Sequence, residues 1–169
     1  MKKQLFALLF LIFSISAVGQ TNAFLTKEET INYINKKVQE AKGHSKKPWG
    51  DYPTIISDCG FRKVYNGENI EYKLRQDWYT YEVEFNPAHI KTVREETQNG
   101  NEVVGKIAIY LIGNTAKARE GDTNDGNVRT TDVLRIIYLK SDPANYNRIY
   151  KALLHLRDLY KAEGDPFDN

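Results

Sequence analysis

Apolar and polar positions alternate along this chain with two different periods, and the change of period marks the elements. From Thr26, Ile31, Ile34, Val38 and Ala41 recur at helical spacing. Thr26 followed three residues on by Glu29 is a capping-box pattern, and Gly43 stands where a helical stop is expected. The period then drops to two. Thr54 to Tyr65 is a mixed apolar run, and Asn66-Gly67 is a strong hairpin signal. Ile70, Tyr72 and Leu74 alternate with Glu71, Lys73 and Arg75. After a turn at Gln76-Asp77, Tyr79, Tyr81, Val83 and Phe85 alternate with Thr80, Glu82 and Glu84. Each run therefore predicts a strand with one buried face and one wet face.

Asn86-Pro87 breaks that strand, Ile90 to Thr97 predicts a weaker one, and Gln98 to Asn101 a turn. Val103 to Ile112 and Val133 to Leu139 are nearly continuous apolar runs, as in strands covered on both faces. Helical spacing returns at the end. Asp142 is the expected cap and Pro143 occupies the first turn. Tyr146, Ile149, Tyr150, Leu153, Leu156 and Tyr160 then form a stripe that Gly164 and Pro166 terminate. The expectation is one α+β domain over residues 20–169: a helix, about six antiparallel strands in a curled sheet or half-barrel, and a C-terminal helix packed on it.

This order resembles the pleckstrin-homology type, a half-barrel whose C-terminal helix plugs one end. The closing segment from Arg148 through Leu156 to Asp165-Pro166-Phe167 also resembles the tails of uncharacterised exported bacterial proteins. The resemblance implies a fold and assigns no functional residue.

Composition adds little beyond an ordinary globular class, but the first line changes the charge account. Lys2 and Lys3 precede the apolar stretch Leu5 to Val18, and small residues follow, which is the pattern of a secretory signal over residues 1–19. The stretch is shorter than the about 20 residues a membrane span needs. Cleavage after Gly19 would start the mature chain at Gln20, and cleavage after Ala23 would start it at Phe24. The two lysines carry the whole formal charge of +2, so the rest is formally neutral and offers no basic excess for nucleic acid. A bacterial, periplasmic or secreted destination follows, with no transmembrane helix in the mature chain. Cys59 is the single cysteine, so no internal disulfide can form.

Candidate chemistry is sparse. Cys59 with a histidine, or a glutamate pair such as Glu82 and Glu84, would be the nucleophile or acid–base set of a small hydrolase. Cys59 lies in a strand pattern without an activating neighbour, so a structural thiol is expected. His44, His89 and His155 show no metal-ligand spacing, and the loop from Gly121 to Asn127 lacks the leading carboxylate of a calcium loop. The expectation is therefore no metal, no cofactor and no catalytic residue. Lys36, Lys37, Lys42, Lys46 and Lys47 crowd the end of the first helix, a solvated cationic end. Trp49 and Tyr52 stand in a polar connector where no periodicity explains them, which makes them the candidate ligand contacts. The function expected is a non-catalytic exported binding module whose partner is a protein, an envelope component or a small molecule.

Overall fold

A computed structural model describes residues 25–46, 54–64, 67–77, 79–96, 102–121 and 127–164. The expected signal over residues 1–19, Trp49 and Tyr52 lie outside the described residues. Helix α1 spans Lys27–Gln39 and opens as its sequence predicts. The Thr26 hydroxyl accepts from the Glu29 N–H, and the Glu29 carboxylate accepts from the Thr26 N–H at 2.9 Å. The chain leaves the helix through Gly43, whose φ of +82° is one that L side chains rarely adopt.

Nine strands follow among the described residues: β1 (Ser45–Lys46), β2 (Thr54–Lys63), β3 (Ile70–Gln76), β4 (Tyr79–Phe85), β5 (Ile90–Glu96), β6 (Val104–Leu111), β7 (Ala116–Gly121), β8 (Val128–Thr131) and β9 (Val133–Leu139). Helix α2 closes the chain over Asn145–Gly164. The α+β order is the expected one. Six of the strands are those the periodicity predicts, while β1, β7 and β8 are additional. Strand β7 escapes the pattern because its buried positions are Ala116 and Ala118, too small to register as an apolar run. The short β8 keeps Val128, Arg129 and Thr130 exposed. The final helix begins two residues later than a cap at Asp142 implies. Asp142 instead builds a turn, accepting from the Ala144 N–H at 2.9 Å, and its own carbonyl receives the Asn145 N–H.

All strand pairs are antiparallel and they fall into two sheets. One has the order β1-β2-β3-β4-β7-β8 and the other β5-β6-β9. Among the described residues the sheets do not close into a barrel by strand pairing. Two phenols join them instead. Strand β9 ends its sheet, so one margin lacks a strand partner among the described residues; there the Ile137 N–H donates to the Tyr72 hydroxyl at 3.2 Å. The Arg135 N–H donates to the Tyr81 hydroxyl at 3.3 Å. Tyr72 is wholly buried, and its ring packs on Phe61 at 5.0 Å and Tyr81 at 6.4 Å.

The other margin is covered by a helix. Asn35 of α1 accepts from the Phe61 N–H at 2.6 Å and donates to the Phe61 carbonyl at 2.8 Å, so its amide replaces a strand along the outer side of β2. A side chain at Gly60 would press on that amide, its Cβ 3.1 Å from Asn35 Oδ1. On the second sheet, Tyr138 lies across Gly105, where a Cβ would come within 2.3 Å of the ring. Its hydroxyl donates to Glu95, and its ring meets Tyr146 of α2 at 6.3 Å. Leu134 and Ile136 share that face by the two-residue alternation, and both are fully buried. The α2 stripe is buried too, with Ile149, Leu153 and Leu156 at 0% exposure.

Candidate functional site

The chain crosses from one sheet to the other at a sharp corner, Thr131-Asp132-Val133. The Thr131 hydroxyl donates to the Val133 carbonyl at 2.9 Å and accepts from the Val133 N–H at 3.2 Å. The Asp132 carbonyl takes the Leu111 N–H at 2.7 Å. Strands β8 and β9 diverge from this pinned corner into different sheets. The space between them is a cleft of about 300 Å³.

Its walls follow from strand alternation. Leu74 and Gln76 come from β3, and Tyr79 and Tyr81 from β4. Strand β9 contributes Val133, Arg135 and Ile137, alternate residues on one face. Lys106 sits opposite Ile137 on β6, while Glu120, Arg129 and Thr131 complete the rim from β7 and β8. The floor is fixed by hydrogen bonds. The fully buried Gln76 donates to Thr54 Oγ1 at 3.0 Å, and Tyr81 receives the Arg135 N–H. Burial pushes the Tyr81 phenol up to about 12, so it is neutral at physiological pH.

The cleft is cationic. Arg129 pairs with Glu120 at 2.7 Å, and Arg135 pairs with Glu96, which lies outside the lining, at 2.9 Å. The Lys106 side chain has neither an ion pair nor a hydrogen bond among the described residues. This half-buried ammonium stands in the strand register between Ile137 of β9 and Glu96 of β5, whose carboxylate is engaged by Arg135. The combination of an apolar wall, two tyrosines and three cations against two carboxylates, Glu96 and Glu120, suits binding and orientation of a small molecule.

Of the residues singled out from the sequence as candidate chemistry, those that the structure describes lie elsewhere. Cys59 is 2% exposed, and its thiol donates to the Val38 carbonyl of α1 at 3.2 Å. Burial, reinforced by the Asp58 charge and opposed by Lys42, pushes that thiol up to about 12, which keeps it protonated and un-nucleophilic near neutrality. Glu82 is bound to Lys73, which holds its carboxyl below the usual range, and Glu84 accepts from Asn69 at 2.6 Å. Both glutamates therefore hold their partners on the outer face of the first sheet. His155 Nε2 meets the Leu25 carbonyl at 2.7 Å in a shallow groove between the helices. Among the described residues no group of three acidic, histidine or cysteine side chains is placed to hold a metal, and no helix is long and apolar enough to cross a membrane.

The cleft residues escaped the sequence reading, although a signal was present. Lys106 and Arg135 each interrupt an apolar run that reads as covered on both faces. A charge in such a run must reach solvent, a counter-charge or a ligand. No family model matches this chain, and no curated protein or solved structure matches it at significance.

Proposed function

We propose that the protein is an exported, non-catalytic binding module whose ligand is a small molecule held in the cleft between the two sheets. The observation that carries this reading is the cleft itself: about 300 Å³, walled by Leu74, Val133 and Ile137 and edged by polar groups already fixed in place. Pockets of this kind orient ligands with a few placed polar atoms and bind them through apolar walls. The acid–base and nucleophilic candidates support binding over turnover, since the Cys59 thiol is buried and protonated and Glu82 is committed to Lys73.

Export rests on the Lys2, Lys3 and Leu5–Val18 pattern. Mass spectrometry of protein recovered from the cell envelope is expected to give a mature start at Gln20 or Phe24, and a mature species starting at Met1 would exclude it. The cleft is tested by NMR titration of the mature chain with p-cresol, an apolar ring bearing one hydroxyl. Saturable shifts gathered at the amides of Leu74, Val133 and Ile137, and abolished by Val133→Trp, are expected. Shifts scattered over the outer faces, or none, would retire the cleft as the binding site.

A further inference from the structure

Charge and size narrow what the cleft can take. Of its three cations, Arg129 is neutralised by Glu120 and Arg135 by Glu96. Lys106 forms no ion pair of its own, since its cross-strand neighbour Glu96 is the carboxylate that Arg135 engages, and its other neighbour Ile137 places it on the apolar side of the cleft. Three cations thus face two carboxylates, and an excess of one positive charge beside apolar walls favours a ligand that brings one negative charge. The cavity size sets the rest: at about 30 Å³ of liquid volume per water-sized group, 300 Å³ accommodates about ten heavy atoms.

We infer that the ligand class is a small amphipathic monoanion, a carboxylate with an apolar body of some eight carbons, whose charge is met by Lys106 and whose body lies along Leu74, Val133 and Ile137. The inference rests on the cleft being the binding site. One negative charge matches the excess of three cations over two carboxylates. A dianion would have to break an existing arginine pair, and a neutral ligand would leave that excess in place. Tyr81 adds no charge to the cleft, because its phenol stays neutral, its oxygen accepting the Arg135 N–H.

Calorimetric and NMR titrations of the mature chain with octanoate and with octanamide, its neutral isostere, test this. Octanoate is expected to bind at the cleft amides at least about tenfold more tightly than octanamide, the ratio a single charge-assisted hydrogen bond supplies. Lys106→Gln should bring octanoate to the octanamide level. Added salt should weaken only octanoate. Equal affinities of the wild-type chain for the two compounds, with shifts at the cleft, would overturn the monoanion inference and leave the cleft as a binding site. Absence of cleft shifts with both octanoate and p-cresol would overturn the cleft reading and this inference together. The wild-type comparison requires no substitution, so the outcome does not depend on how the lysine variant folds.

Discussion

Removing one oxygen atom from Tyr72 tests the way the two sheets are joined. Tyr72→Phe preserves the ring and its packing on Phe61 and Tyr81, and deletes only the hydroxyl that accepts the Ile137 N–H. Tyr72 is at 0% exposure and Ile137 at 2%, so water has little access to the abandoned N–H. The cost should approach that of a buried unsatisfied donor, about 1–3 kcal/mol. Tyr81→Phe abandons the Arg135 N–H, but that site borders the cleft, where water can replace the phenol. Its cost should be about 0.5–1.5 kcal/mol, that of an ordinary exchanged hydrogen bond. Urea denaturation followed by far-UV circular dichroism gives both values, and hydrogen exchange at the Ile137 amide gives an independent reading. A Tyr72→Phe change below about 0.3 kcal/mol with undiminished protection at Ile137 would show that the phenols do not hold the sheets together.

The remaining predictions concern the helix, the thiol and the connector. Leu153 is fully buried at the centre of the α2 stripe, so Leu153→Ala should cost about 2–5 kcal/mol in equilibrium denaturation; a change below about 0.5 kcal/mol would mean that α2 does not dock as described. Cys59 should resist alkylation at neutral pH until the chain unfolds. Its folded value of about 12 exceeds its ordinary 9.0, so its contribution to stability is complete below pH 9 and declines as pH rises from there toward 12. A fall over that range that persists unchanged in Cys59→Ala would assign the effect to other groups. At the connector, Trp49→Ala is expected to leave stability within about 0.5 kcal/mol; a loss above about 2 kcal/mol would make Trp49 part of the core.

What the sequence discloses depends on the range of the interaction that fixes it. The α1 cap, the alternation of β3 and β4 and the α2 stripe are encoded by neighbours a few residues apart, and they stand where the pattern puts them. Strand β7 shows the limit, because alanines satisfy its inward positions only when β4 already lies beside them. The cleft is less legible still. It exists because the chain changes sheets at Asp132, which brings Lys106 from β6 and Glu120 from β7 to the rims of one space. No local period encodes that meeting. Its only trace is the pair of charges, Lys106 and Arg135, set in otherwise apolar runs.

The two phenols along β9 also bear on solubility. A strand with one bare margin is a template onto which another chain can add a strand, and a row of such additions is the start of a fibril. Tyr72 and Tyr81 occupy successive outward-pointing N–H groups of that margin with side chains of the protein itself. An incoming strand would have to displace both phenols before its first hydrogen bonds formed. The same oxygens that tie the sheets thus keep molecules apart, and the doubly substituted Tyr72→Phe, Tyr81→Phe chain, whose weakened junction opens more often and uncovers β9, should aggregate at concentrations the parent tolerates, even under conditions where most of it remains folded.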